Sequence, residues 1–255
     1  MVTYKKNLET RLRVMIMAAT TIALPSIGFA GQSHVERGFF YLEESKKPRL
    51  TTDDRVKLYN DSNREFSQAL AENKDDCGAL TGLGSIDVLA RLPNKALPVL
   101  EKAAGAGCGE KALEMLGYAY IDLGRFDDAE KCTMTILSNN KNSAEAYKQL
   151  GFLFFVKKDY AKSIEFGKKA LKLKPKFYQV MNNIGSAHMG LREFETAKKF
   201  SLNALKINPD YPNAYFLLGK AYKELGDKSK AKAAFEKAIE LNPDAGNYRA
   251  ELNSL

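Results

Sequence analysis

The chain has 255 residues, of which 45% are apolar, and carries a formal charge of +8 with three cysteines, two histidines and no tryptophan. That length suits one or two ordinary domains, and the apolar share is enough for a continuous core. Cys77 and Cys108 have no paired histidines beside them, so no zinc pattern is present and no metal or cofactor is expected.

In residues 1–30, Lys5, Lys6, Arg11 and Arg13 precede an apolar run from Val14 to Ala30 interrupted by Pro25. Gly28-Phe29-Ala30 offers small residues at cleavage spacing, the pattern of a secretory signal peptide cut after Ala30. The alternative is an uncleaved inner-membrane anchor, although the 17-residue run is at the short limit for a span. The first cysteine after the run is Cys77, which argues against an acylated lipoprotein. Export implies a periplasmic location.

Residues 31–76 predict an irregular helical pair. Val35–Glu44 carries Phe39, Phe40 and Leu42, and Asp53–Lys74 carries Phe66, Ala69 and Leu70 at helical spacing. Between them, Lys46–Thr52 reads as an insertion. Residues 77–109 form a second pair, with Leu83, Gly84, Ala96, Leu100 and Ala103 as its apolar and small positions.

Four regular units follow, at 110–143, 144–177, 178–211 and 212–245. Gly117, Gly151, Gly185 and Gly219 stand 34 residues apart, and each opens the same pattern. The last unit continues through Tyr222, Leu225-Gly226, Ala231, Phe235, Ala238 and Pro243. Its counterparts are Leu191, Ala197, Ala204 and Pro209, then Phe154, Tyr160, Ser163, Ala170 and Pro175, then Tyr120, Leu123, Phe126, Ala129 and Ile136, with Lys141 at the proline position. Small residues let paired helices approach, aromatics and leucines fill the space between pairs, and proline stops the second helix. Residues 246–255 read as a short tail or cap.

These columns resemble the tetratricopeptide repeat, a helix–turn–helix unit of 34 residues, from Glu110 to about Ala245 and more weakly over Cys77–Gly109, where Asp87 and Pro93 replace the usual aromatics. The resemblance implies an all-α, right-handed α-α superhelix (a solenoid) of about five to six hairpins, in an exported bacterial member of the family. It further implies that first helices line a concave groove for a partner segment. The groove candidates are Tyr118, Lys148, Phe152, Phe155, Asn182, Asn183, Asn213, Phe216 and Lys220, with Gln149, Ser186, Met189, Leu217 and Lys223 beside them. Some members grip a terminal carboxylate. Lys148 and Asn183 match two of those places, but Phe152, Asn213 and Leu217 do not, so that clamp is not expected.

In an antiparallel hairpin, Cys77 and Cys108 lie at adjoining ends, where either a disulfide or two reduced loop thiols is open. Cys132 falls within a second helix. Charge is polarised: Gly31–Asn140 is −4 and Lys141–Glu240 is +10. The lysines Lys162, Lys168, Lys169, Lys172, Lys198, Lys199, Lys232 and Lys237 fall on second helices, the convex side in this family. They read as a solvated face, a docking surface for an acidic partner or membrane surface, or one side of a head-to-tail homo-oligomer. No nucleic-acid motif interleaves them.

No catalytic constellation emerges. His188 occupies a packing column with Tyr120, Phe154 and Tyr222, and His34 has no adjacent nucleophile. Gly105–Gly109 lacks the lysine and strand of a phosphate loop. Asp53-Asp54, Asp75-Asp76 and Asp127-Asp128 fall where carboxylates cap helices. The expected function is therefore a non-enzymatic scaffold binding a protein or peptide in assembly of a periplasmic or envelope complex. The alternatives are a self-assembling structural protein and a membrane-anchored adaptor.

Overall fold

The computed structural model describes residues 31–255, so the segment read as a signal peptide or anchor lies outside the described residues. Those residues form thirteen α-helices and no strand. By their contacts they divide into two units, one holding the described residues up to Lys47 together with Thr52–Leu123, the other holding Pro48–Thr51 and Gly124–Leu255.

The first unit contains α1 (His34–Glu44), α2 (Thr52–Glu72), α3 (Cys77–Leu89), α4 (Pro93–Gly105) and α5 (Gly109–Asp122). Ser33 and Glu36 form a reciprocal capping box at the start of α1, and the Asp76 side chain caps α3. Consecutive helices pack on one another, and α1 also meets α3 as α3 meets α5. Phe66 is fully buried among Leu42, Ala69, Ala79 and Ile86, which makes the irregular pair a true part of the core. Cys77 and Cys108 form a disulfide with their Cα atoms 5.0 Å apart. Cys132, on α6, is half-buried.

The second unit contains α6 (Phe126–Asn139), α7 (Ala144–Val156), α8 (Tyr160–Leu173), α9 (Tyr178–Gly190), α10 (Phe194–Ile207), α11 (Pro212–Glu224), α12 (Lys228–Leu241) and α13 (Gly246–Asn253). Each helix packs on its sequence neighbours, while α9 touches both α7 and α11, so these three first helices make one layer. Residues 48–51 group here, where the Arg49 amide donates to the Leu241 carbonyl at 2.7 Å. A Cβ on Gly151 would lie 3.3 Å from the Ser163 carbonyl of α8, which is the close approach expected of that glycine.

The turns inside the hairpins repeat one geometry. The amides of Asp159, Glu193 and Asp227 donate to the carbonyls of Phe154, His188 and Tyr222 at 2.9 Å. The preceding amides of Lys158, Arg192 and Gly226 donate to Phe155, Met189 and Lys223. This is a Schellman closure, and it needs a left-handed residue after the helix. Gly226 has φ +83° and fits without strain, whereas Lys158 and Arg192 hold φ 63° and 62° with a side chain. At the other end of each hairpin the second helix stops in the same way with or without proline. Where Lys141 replaces it, the Asn140 side chain accepts from the Asn142 amide at 3.1 Å, as Asn208 does from Asp210.

Three tests follow from these features. Lys158→Gly removes a left-handed side chain and should raise stability by about 0.5–1 kcal/mol in urea denaturation. Reducing the Cys77–Cys108 bond, or changing both residues to serine, should lower it by roughly 2–4 kcal/mol, read from melting with and without reductant. Burial, partly offset by Lys95, pushes the Asp87 carboxyl up to about 6 from an ordinary 3.8. The folded state therefore prefers the protonated form, and its advantage is lost as pH rises from about 4 through 6. Asp87→Asn should match the parent at pH near 4 and exceed it by about 1 kcal/mol at neutral pH, after allowance for partial exposure.

Candidate functional site

The layer formed by α7, α9 and α11, closed at one end by α13, leaves a pocket of about 510 Å³. Five of the groove candidates line it together: Phe155, Asn182, Asn213, Phe216 and Lys220. Ser186, Met189 and Leu217 lie beside them on α9 and α11, and Asn242 and Ala245 line it from the end of the last repeat. Their placement follows from helical spacing, since Asn182, Ser186 and Met189 share one face of α9, and Asn213, Phe216, Leu217 and Lys220 share one face of α11.

Asn182 is the most constrained of these. The residue is only 7% exposed, and its Oδ1 has no hydrogen-bond partner among the described residues. A buried amide oxygen left without a donor carries a desolvation cost of about 1–3 kcal/mol. The charge in the lining comes from Lys220, whose ammonium lies 5.8 Å from the centre of the Phe216 ring.

The remaining wall is α13, on the segment read from sequence as a tail or cap. Its Tyr248 ring stacks on Phe216 at 4.6 Å, and its hydroxyl donates to Asn213 Oδ1. Burial first, then the neighbouring Tyr211, pushes the Tyr248 hydroxyl up to about 12, so it stays protonated and donates. The Asn213 amide nitrogen lies 3.4 Å from the Tyr211 hydroxyl, so both ends of that side chain are held by tyrosines. Lys223 is likewise committed, to Glu251 at 2.9 Å and Ser254 at 2.7 Å. Sequence reading missed Asn242, Asn247 and Tyr248. The signal was available: Ala112, Ala146, Val180 and Ala214 recur every 34 residues, and the next place in that column is Tyr248.

Other candidates lie outside this pocket. Lys148 is ion-paired with Glu145 and sits 5.4 Å from the Phe177 ring centre. Phe152 and Asn183 are half-buried on α7 and α9 and do not line it. Gln149 is fully buried, with its Oε1 accepting from the Thr133 hydroxyl at 2.8 Å, so it is a core residue and not a groove residue. Leu217 serves both core and pocket at 5% exposure. Tyr118 is half-buried on α5 of the first unit.

The lysines of the second helices are mostly neutralised along their own helices. Lys162, Lys169, Lys198, Lys232 and Lys237 pair with Asp159, Glu165, Glu195, Glu236 and Glu240. Lys162 and Lys169 also lie 5.0 and 4.8 Å from the ring centres of Phe154 and Phe166, which stack on each other. Lys168, Lys172 and Lys199 are exposed and have no carboxylate partner among the described residues. His188 packs as expected, stacked on Phe200 at 5.5 Å with its Nδ1 2.6 Å from Glu193.

Comparison with known proteins gives the family. Tetratricopeptide repeat models match residues 114–176, 178–211 and 212–245. No curated protein matches the chain. Among solved structures, a tetratricopeptide repeat protein from Parabacteroides merdae superposes with a TM-score of 0.72 at 17% identity, over 99% of this chain and 91% of that one. A thermophilic protein of the same repeat class from Thermus thermophilus gives 0.63 at 20% identity, over 69% and 96%. A chain of the APC/C hetero-tetramer Cut9–Hcn1 gives 0.70 at 15% identity over 96% of this chain, which spans only 46% of that one. These likenesses establish the fold, an all-α solenoid of stacked hairpins. With the three matched segments covering half of its length, the chain belongs to the tetratricopeptide repeat family.

Proposed function

We propose that this protein is a non-enzymatic interaction scaffold that holds a segment of a partner protein in the α9–α11–α13 pocket, within a periplasmic or envelope complex. Proteins built from this repeat are typically interaction scaffolds, and one structural relative is a chain of a hetero-tetramer. The observation that carries the reading is Asn182. Asn182, with its unpartnered amide oxygen, lines a pocket that also holds Phe155, Met189, Phe216 and Tyr248 among polar Ser186, Asn213, Asn242 and Asn247, a lining suited to a guest that brings an N–H donor and apolar side chains. Export is supported by the basic and apolar N-terminal sequence, and the Cys77–Cys108 bond suits an oxidising compartment.

The test is affinity capture from the native source with the chain starting at Gly31, compared with Phe216→Ala and with Asn182→Ala, each checked for folding by circular dichroism. A partner should be retained by the parent and recovered about tenfold less by each variant, as expected for loss of an interface anchor. Equal recovery by parent and variants refutes the pocket as the binding site. Mass measurement of the protein from cell fractions checks export: a periplasmic chain beginning at Gly31 is the expected result.

A further inference from the structure

The proposed pocket has a distinctive charge balance. Its lining contains one ionised side chain, Lys220, and no carboxylate. Lys220 has no acidic partner among the described residues, whereas Lys223, one turn along α11, is neutralised by Glu251 of α13. Lys148, two repeats earlier, is neutralised by Glu145. One cation in this layer is thus left uncompensated at the pocket wall, half-buried over the Phe216 ring. Placing an ammonium partly out of water costs free energy that an anion in the same pocket repays.

Two further groups constrain the guest. Asn182 Oδ1 needs a donor, and an acidic side chain cannot supply one at neutral pH. A backbone N–H can. Met189, Phe216 and Leu217 give the lining its apolar surface, with Ser186 and Asn213 beside them. We infer that the pocket selects an acidic–apolar peptide segment of a partner protein: a backbone N–H on Asn182, an aliphatic or aromatic side chain against Phe216 and Met189, and an Asp or Glu carboxylate on Lys220. This rests on the reading of the pocket as a binding site and adds the chemistry of its occupant.

Short random peptides displayed on phage and panned against the full chain test the inference. Selected sequences should be enriched in Asp or Glu next to Leu, Ile, Val, Met or Phe. A selected peptide, synthesised and labelled, is then titrated by fluorescence polarisation against the parent, Lys220→Gln, Lys220→Glu and Asn182→Leu. Lys220→Glu should weaken binding by at least about tenfold, since it places like charges together. Exchanging the peptide's acidic residue for lysine should restore binding to Lys220→Glu and abolish it with the parent. Lys220→Gln should give an intermediate loss that shrinks at high salt. Peptides that are lost on Phe216→Ala but are neutral or basic, or that ignore Lys220→Glu, overturn the inference and leave the binding site standing. Failure to select any peptide sensitive to Phe216→Ala overturns both.

Discussion

Helical hairpins can share a continuous core only if each helix lies close to several others, and closeness here is enforced by residues with almost no side chain. On first helices the column is Ala112, Ala146 and Ala214, with the larger Val180 as its exception, none more than 1% exposed. On second helices it is Ala96, Ala129, Ser163, Ala197 and Ala231, none more than 2% exposed. A larger residue at these places would force the helices apart or strain their rotamers. Ser163 marks the tolerance of the column: its hydroxyl fits but has no hydrogen-bond partner among the described residues. The larger side chains, such as Phe235, Leu150 and Ile184, fill the space that this spacing leaves, and are themselves fully buried.

The same constraint explains how the pocket arises. Where α13 takes the first-helix place after α12, the small residue is replaced by Tyr248, which is 4% exposed. Its ring crosses to Phe216 and its hydroxyl to Asn213, so a side chain that elsewhere only sets spacing becomes a wall. The pocket is therefore lined mostly by the repeats and closed by a break in them. Asn182, one repeat earlier at the position of Phe216, contributes a polar group where α11 contributes a ring.

The architecture was legible in the chain because its signals are periodic. The spacing of Gly151, Gly185 and Gly219 set the register, and Phe66, Ala69 and Leu70 marked the irregular first pair. Site residues were legible only as far as the register carried them. It brought Phe155, Asn182, Asn213, Phe216 and Lys220 to one surface, since helix faces follow from spacing. It failed for Gln149, whose burial depends on the Thr133 hydroxyl of another helix, and for Lys148, whose charge is consumed by Glu145. Pairings between side chains leave no period to read. The tail was underestimated for a related reason: Tyr248 keeps the 34-residue spacing of that column but not its residue type, so the signal lay in the spacing alone.

The separation between stacking positions and pocket positions bears on how such chains diverge. Ala214 and Ala221 hold α11 in the array, while Phe216 and Lys220, on the same helix, face the pocket. A substitution in the second set leaves the spacing set by the first untouched, so the lining of the pocket can change under a constant scaffold. Leu217, which serves both sets, is where the two requirements meet. The spacing resides in the alanines and the lining in their neighbours, which is why solved structures that share 15–20% of their residues with this chain show its fold alone.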